Sequence, residues 1–415
     1  MVDSEEGIVE REVRQQFTTS NVAAGRLRGA QESVREELMQ LALEVNPVNL
    51  SAETPDFVAP EFITKALSEA VTGPNILLNQ YTRGYGHPRL VNALSKLYSK
   101  LLGHELDPFK EILVTVGAYG ALHCAIMALI NPGDEVIIIE PFFECYVHIT
   151  KMAGGIPVFV PLLKNKTKDS ISSADWVLDP KEVASKFTNK TKMIIINTPH
   201  YPLGKVFTCS ELDMVAEFCK KHNVICVMDE TYEWLVFKSS EHIRMATLPG
   251  MWELTITIGS AGKTFNLTGW KEAIGIGLEI EIERKETPDS YLQDRVERLE
   301  LKRDCMAKCL SSVGMTPVIP EGGYFIVADF SKLGAKISLN LDEEQGAKDY
   351  QFAKWLYRNE KLQVFPFSIF YCVEHKHLGE DFVCFCFVKY EKAEQVFSEL
   401  KKSLNRVDTY CKTAV

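Results

Sequence analysis

Five short runs of apolar and β-branched residues recur between positions 111 and 258, and longer segments with helix-compatible spacing separate them. The runs cover residues 111–116, 135–139, 193–196, 224–228 and 254–258. Continuous apolar runs of this length are typical of strands that are buried on both faces of a largely parallel sheet. The pattern therefore predicts an α/β domain whose strands alternate with helices.

The pattern changes character after about Ser290. Residues 299–304 form a charged segment that predicts a helix, and a Gly-Gly pair opens an apolar run at 322–327. A further apolar run at 382–387 places phenylalanines among smaller residues. These features predict a smaller α+β domain. The predicted division is an N-terminal arm with part of the small domain over 1–60, a large domain over 61–290, and a C-terminal small domain over 291–415.

Small and polar residues follow each of the five runs. They are Gly117 to Gly120, Glu140 to Phe143, Asn197 to Pro199, Asp229 to Tyr232, and Gly259 to Lys263. In open parallel sheets, ligands bind beyond the carboxyl ends of the strands. We therefore expect a binding or catalytic site where these five segments converge.

The last of these segments sets one lysine among small residues. Lys263 follows Ser260-Ala261-Gly262, and a second lysine, Lys271, lies eight residues further on. The Ala-Gly pair permits close backbone approach, and a hydroxyl and a cation suit a phosphate group. This is the sequence form of a pyridoxal phosphate lysine with its phosphate anchors. The competing interpretation of the isolated pattern is two solvated surface lysines.

Composition excludes several classes of partner. The chain has 415 residues, of which 46% are hydrophobic and 25% charged, with a net charge of −10. Such a balance argues against nucleic acid or an anionic membrane as the main partner. The eleven cysteines lack metal-ligand spacing, so we predict reduced thiols and no metal site. The acidic N-terminus and the absence of a membrane-length apolar segment predict a cytoplasmic protein.

Taken together, the motifs resemble those of a known family. Besides the segments after the runs, they include residues 79–88 around Tyr81 and residues 321–325. The set resembles the fold-type I pyridoxal phosphate aminotransferases. Within these, the chain is similar to the kynurenine aminotransferase group, also described as glutamine transaminase K and cysteine-conjugate β-lyase. The resemblance runs from about Arg26 to about Leu400. It implies an amino acid and a 2-oxo acid as substrates, with β-elimination from cysteine conjugates as a side reaction.

The resemblance also implies roles for residues around the cofactor ring. Lys263 would attach the cofactor and carry a proton to and from the substrate's α-carbon. Asp229 would pair with the ring nitrogen, and Tyr232 would hydrogen-bond the ring oxygen. Phe143 would stack on the ring, and Asn197 belongs to the same cofactor-binding set.

A second set of residues is implied for the phosphate. The amides of Ala118 and Tyr119, at a helix N-terminus, would bind it together with Ser260 and Lys271. Tyr81 would reach the phosphate in a partner subunit. The resemblance therefore implies a homodimer.

Four departures from the family lie on the substrate side. Cys384 stands where the family has the arginine that binds the substrate's carboxylate, and a thiol cannot make that two-point contact. Tyr201 replaces an asparagine that bonds the ring oxygen. Glu53 lies in a loop that is rich in glycine in the family. Arg35 stands in place of a pocket tryptophan. It could restore a guanidinium to the pocket, but we expect it on a helix surface.

A segment of the family also has no counterpart after Lys271. The family continues with a strand, a helix and loops before a helix that resembles residues 272–279, whereas here Lys271 abuts that helix. About 25–30 residues would be absent, which is roughly one strand and one helix with their loops. Loss of a strand would expose hydrogen-bonding groups of the sheet.

Three functions follow from this balance of matches and departures. The first is an active aminotransferase of the kynurenine type. The second is a catalytically impaired paralogue or splice form, or the product of an incorrect gene model. The third is a pyridoxal phosphate enzyme retuned to a substrate that lacks an α-carboxylate.

Overall fold

The fold is described from a computed structural model. It describes residues 24, 26, 33–51, 55, 58–165, 172–267, 274–337 and 346–388, without the side chains of 76, 79, 274–277 and 335–337. Lys271 and Glu53, both predicted from the sequence, lie outside the described residues.

Helices and strands alternate along the large domain, and this regular alternation ends in the C-terminal part of the chain. The helices are α1 (Val34–Val45), α2 (Glu61–Thr72), α3 (Pro88–Leu102), α4 (Gly117–Leu129), α5 (Cys145–Met152), α6 (Pro180–Lys186), α7 (Cys209–His222), α8 (Ala261–Thr264), α9 (Ile274–Arg284), α10 (Tyr291–Ser312), α11 (Ser331–Ile337) and α12 (Lys348–Asn359). The strands are β1 (Val48–Asn49), β2 (Glu135–Glu140), β3 (Ile156–Pro161), β4 (Leu163–Lys164), β5 (Trp176–Val177), β6 (Thr191–Asn197), β7 (Ile225–Asp229), β8 (Thr255–Ile258), β9 (Thr316–Val318), β10 (Phe325–Asp329), β11 (Leu362–Gln363), β12 (Phe365–Pro366) and β13 (Phe382–Cys386). Short 3₁₀ helices cover Ile76–Asn79, Ser173–Asp175, Met245–Thr247, Trp252–Leu254, Phe367–Phe370 and Val373–Leu378. Within the described residues, no helix combines the length and apolarity that crossing a membrane requires.

A five-stranded parallel sheet forms the centre of the large domain. Its strand order is β3-β2-β6-β7-β8. Alternate residues of β2 enter different apolar clusters: Val136 and Ile138 pack toward α4 and α5, whereas Ile137 and Ile139 pack on the opposite face. The sheet is therefore buried on both faces, which explains the continuous apolar runs. The strand predictions at 135–139, 193–196, 224–228 and 254–258 are confirmed.

The strand predicted at 111–116 is wrong. The segment is not assigned to any strand, and Val114 donates its backbone N–H to the Tyr85 carbonyl instead. Within the described chain, β8 likewise pairs only with β7, and its residues Thr255 to Thr257 are half-buried. Apolar β-branched residues form a strand only where a neighbouring strand can pair with them. If a strand between β8 and segment 111–116 is absent, β8 should have an open edge and the segment should have no strand to pair with. Both features are present in the described chain.

The C-terminal part forms a four-stranded antiparallel sheet. Its order is β12-β13-β10-β9, and the described part of the N-terminal arm joins this region through the parallel pairing of β1 with β11. Cys384 and Cys386 are buried strand residues of β13, as their apolar run predicts. The predicted charged helix at 299–304 lies within α10.

Candidate active site

The carboxyl ends of three adjacent strands, β6, β7 and β8, lie side by side at one end of the sheet. The register places Asn197 beside Asp229, and Asp229 beside Ile258. The Asn197 side chain fixes this alignment, because its Nδ2 donates to the Asp229 carbonyl oxygen at 2.9 Å. Its Oδ1 also accepts the backbone N–H of Tyr201 at 2.6 Å. The convergence predicted from the sequence is therefore present at these strand ends.

Asp229 is a buried carboxylate with a polar shell. Its side chain accepts hydrogen bonds from the Tyr146 hydroxyl and from the hydroxyl and backbone N–H of Thr231. Burial raises the pKa of the Asp229 carboxyl, while the bonds from Thr231 and Tyr146 oppose the rise. A cationic N–H arriving beside this carboxylate would relieve the desolvation, because an opposite charge favours the ionised form. Sequence reasoning missed Tyr146, and it gave no role of its own to Thr231, which lies within the predicted segment Asp229 to Tyr232.

Lys263 lies on the one-turn helix α8, directly beyond the end of β8. Ser260 caps this helix and accepts the backbone N–H of Lys263 at 3.4 Å. The Lys263 Nζ lies 5.8 Å from the ring centroid of Tyr232 and 5.6 Å from that of Tyr324. These two rings pack edge to face at 5.2 Å and confine the side chain. The amine is thus half-buried and held beside the strand ends.

Gly259 allows the chain to turn from β8 into α8. A Cβ at this position would lie 3.1 Å from the Tyr98 hydroxyl and 3.2 Å from the Glu233 carboxylate. Both neighbours belong to a buried hydrogen-bonded network that has little room to move. A Cβ at position 259 would therefore press on this network by a few tenths of an ångström.

A cavity of about 840 Å³ unites the predicted residues. The predicted site residues among those that line it are Ala118, Tyr119, Phe143, Asn197, Tyr201, Asp229, Tyr232, Ser260 and Lys263. The cavity continues between β8 and the unpaired segment 112–116. Its volume falls within the usual range for sites that hold a cofactor with a substrate.

A comparison with known families shows which family the chain belongs to. The model of the family described as aminotransferase class I and II matches residues 45–283. The chain belongs to the class I and II aminotransferases.

Relatives of this aminotransferase share its sequence over most of the chain. Kynurenine–oxoglutarate transaminase 3 of Mus musculus is 44% identical, with 92% of this chain and 90% of that protein aligned. Kynurenine–oxoglutarate transaminase 1 of Homo sapiens is 42% identical, with 91% and 96% aligned. Among solved structures, Bna3p of Saccharomyces cerevisiae matches with a TM-score of 0.84 at 29% identity, covering 94% of this chain and 99% of that one. The predicted family and fold are confirmed.

The lengths of these alignments bear on the predicted missing segment. The alignment with the mouse transaminase is 415 positions long. It includes only 92% of the 415 residues of this aminotransferase, so about 8% of the aligned positions are gaps in this chain. A shortfall of this size corresponds to one strand and one helix with their loops. It agrees with the open edge of β8.

Pyridoxal phosphate, the cofactor that the aminotransferase family implies, fits the residues of the cavity. Asp229 supplies a buried anion for the ring nitrogen, and Lys263 supplies an amine for covalent attachment. Phe143 contributes an aromatic wall, and the first turn of α4 presents backbone N–H groups that have no partner within a helix. The contribution predicted for Lys271 lies outside the described residues.

The aminotransferase holds α8 in place through a residue that sequence reasoning missed. Arg295 of α10 is buried, and its guanidinium donates to the carbonyl oxygens of Lys263 and Thr264 and to Oδ1 of Asn266. Burial lowers the pKa of Arg295. On a helix rich in charges, this arginine gives no signal in the sequence that separates it from exposed neighbours.

The structure places two of the predicted substrate-side residues, Cys384 and Arg35, in different surroundings. Cys384 is 1% exposed and lies within β13, so its thiol is a buried strand residue. The expectation that Arg35 lies on a helix surface is wrong, because its Nη2 donates to the Tyr201 hydroxyl at 2.6 Å. The Tyr201 ring packs edge to face against the rings of Phe143, Phe325 and Phe370. Arg35 therefore reaches the wall of the site.

Replacing Asp229 by asparagine is expected to lower kcat/KM by about 30-fold to 5,000-fold, because loss of one partner of a buried charge pair costs about 2–5 kcal/mol. Cofactor affinity, measured by fluorescence titration, should fall with it. Tyr146→Phe is the matched control, since it keeps the carboxylate and removes one hydrogen bond worth about 1 kcal/mol. Equal losses in the two variants would contradict the role of the Asp229 charge.

Proposed function

We propose that this aminotransferase transfers the amino group of kynurenine, or of a similar amino acid, to a 2-oxo acid with pyridoxal phosphate as cofactor. The identity of 42–45% to transaminases named for kynurenine and oxoglutarate supports this choice of substrates. The observation that carries the proposal is the placement of Lys263 and Asp229 in one cavity beyond aligned strand ends.

The residues of the site have distinct tasks in this reaction. When bound, pyridoxal phosphate draws electrons from the substrate's α-carbon and so makes that carbon acidic. The Lys263 amine accepts the α-proton of the amino donor. It returns a proton when the 2-oxo acid takes up the amino group. Asp229 holds the ring nitrogen in its protonated state, and Tyr146 and Thr231 fix the carboxylate that does so. Arg295 keeps the Lys263 backbone in place.

The proposal includes a homodimer. Tyr81 is fully exposed and lies apart from the residues that line the cavity of its own chain. A tyrosine of the predicted cofactor-binding set therefore contacts a phosphate only if a second copy presents its site. Sedimentation of the purified protein measures this state directly.

The test begins with covalent attachment of the cofactor. The purified protein is mixed with pyridoxal phosphate, its near-visible absorption is recorded, and borohydride reduction is followed by peptide mapping. We expect an absorption band that is lost on reduction and a label on Lys263. The second step mixes the loaded protein with kynurenine and 2-oxoglutarate and measures glutamate.

The outcomes separate the competing functions. Glutamate formed only when both substrates are present supports the proposal. A labelled Lys263 without glutamate formation would indicate an impaired or retuned enzyme. Absence of both the band and the label would reject cofactor binding altogether.

A further inference from the structure

An amino acid substrate brings a carboxylate into the site, and β13 offers no cation for it. Cys384 is buried and its thiol is a weak hydrogen-bond donor without charge. Binding of a carboxylate in a partly desolvated site calls for a charged donor, preferably one that contacts both oxygens. A cation from another element is therefore needed.

Arg35 reaches the same face of the small sheet from the first turn of α1. Its guanidinium carbon lies 4.8 Å from the ring centroid of Phe365. Phe365 of β12 is the direct register partner of Cys384 on β13. Side chains of directly opposed residues lie on one face, with their Cβ atoms about 5 Å apart. The Arg35 charge thus lies against the side chain that neighbours Cys384 on this face.

The other end of the guanidinium connects to the catalytic cavity. Its Nη2 donates to the hydroxyl of Tyr201, which lines the cavity together with Lys263 and Asp229. Tyr201 is 4% exposed and held between aromatic rings, so its hydroxyl is a fixed point. The hydrogen bond to Tyr201 and the stacking on Phe365 together set the plane of the guanidinium.

The charge of Arg35 also affects the pKa of a thiol inside the large domain. Burial raises the pKa of the Cys145 thiol, and so does the Asp229 carboxylate, whereas Arg35 opposes the rise. Arg35 and Asp229 carry opposite charges, so they shift the pKa of the same buried thiol in opposite directions.

We propose that Arg35 binds the α-carboxylate of the amino substrate and replaces the missing cation of β13, with Tyr201 as the residue that positions it. This inference rests on the proposed function. It favours substrates with a free α-carboxylate over simple amines, and so opposes the retuned enzyme as an explanation of Cys384. Arginine suits this task because its planar fork matches both carboxylate oxygens.

The test compares Arg35→Met, which removes the charge, with Arg35→Lys, which keeps a point charge without the fork. Each variant is loaded with pyridoxal phosphate and assayed with kynurenine and with kynuramine, its decarboxylated amine. Calorimetry then measures the dissociation constant of 3-phenylpropionate, a carboxylate that cannot react. Arg298→Met on the exposed face of α10 is the control, since Arg298 is 61% exposed and pairs with Asp294.

In Arg35→Met we expect kcat/KM for kynurenine to fall by about 30-fold to 1,000-fold and the 3-phenylpropionate dissociation constant to rise by a similar factor. The rate with kynuramine should change by less than about 3-fold, since this amine makes no carboxylate contact. Arg35→Lys should lie between the two, and Arg298→Met should match the unchanged protein.

Equal losses for the amino acid and the amine would overturn the assignment, and so would a 3-phenylpropionate affinity that is absent in the unchanged protein or unaltered in Arg35→Met. The carboxylate titration also separates the two hypotheses. Loss of 3-phenylpropionate binding in Arg35→Met supports Arg35 even if the unchanged protein fails to transfer amino groups, in which case only the proposed function falls.

Discussion

Replacing Lys263 by alanine is expected to lower kcat for amino transfer by about 10⁴-fold or more. Under the proposed function, the substitution removes both the group that attaches the cofactor and the base at the α-carbon. Lys263→Arg should lose as much, because a guanidinium stays protonated and cannot accept the α-proton. Steady-state rates with kynurenine and 2-oxoglutarate, and borohydride labelling of the protein, measure the two functions separately.

The local structure keeps this prediction specific. Arg295 contacts the backbone of Lys263 rather than its side chain, so truncation at Cβ leaves α8 anchored. Unfolding temperatures of the variants should therefore stay close to that of the unchanged protein. Lys238→Ala is a suitable control, since Lys238 is 70% exposed. Retention of more than about 1% of the activity in Lys263→Ala would contradict the assignment of Lys263 as the base.

Replacing Arg244 by methionine is expected to lower the free energy of unfolding by about 3–5 kcal/mol. Arg244 contacts two carboxylates, Glu230 and Glu233, through its two terminal nitrogens, and all three side chains are at most 9% exposed. His242 and the Tyr98 hydroxyl complete the network. Without the guanidinium, two buried carboxylates face each other uncompensated. Urea unfolding followed by circular dichroism measures the loss.

The loss should depend on pH with a defined sign. Burial raises the pKa of Glu233, and the Arg244 charge opposes that rise, so removal of Arg244 raises it further. A carboxyl with a higher pKa in the folded protein binds its proton more tightly there than in the unfolded chain. Stability of the variant therefore falls as the pH rises and recovers as the pH falls.

Two comparisons check this interpretation of the Arg244 variant. The deficit relative to the unchanged protein should be larger at pH 8 than at pH 5. The triple variant Glu230→Gln/Glu233→Gln/Arg244→Met should regain much of the lost stability, because it buries no charge. Arg298→Met, at an exposed pair, should cost less than about 1 kcal/mol. A deficit that is independent of pH would point to lost packing instead.

The sequence predicts the site best where chemistry and chain order coincide. Asp229 ends the buried strand β7 and Lys263 follows the neighbouring strand β8, so the parallel pairing of these strands brings the two residues together and the local pattern sufficed. The segment 111–116 has the same composition as the true strands and yet is unpaired. Whether this segment forms a strand depends on a pairing strand from elsewhere in the chain. The composition of the segment does not encode that partner.

The residues that were missed or misjudged share one physical cause. Arg35, Arg295 and Arg244 are arginines whose partners lie between 11 and 166 residues away in sequence, and tertiary packing leaves Arg295 and Arg244 buried and Arg35 half-buried. Arginine is usually exposed, so a local pattern assigns it to the surface. Only the contact with a distant carbonyl, carboxylate or hydroxyl distinguishes these three.

The open edge of β8 has a consequence for how the molecule behaves at high concentration. In the part of the chain that the structure describes, this strand has a neighbour on one side only, and it is built from alternating Thr and Ile. Such an edge offers backbone N–H and C=O groups to which a further strand can be added. We therefore expect concentrated solutions of the protein to favour self-association through this edge without prior unfolding.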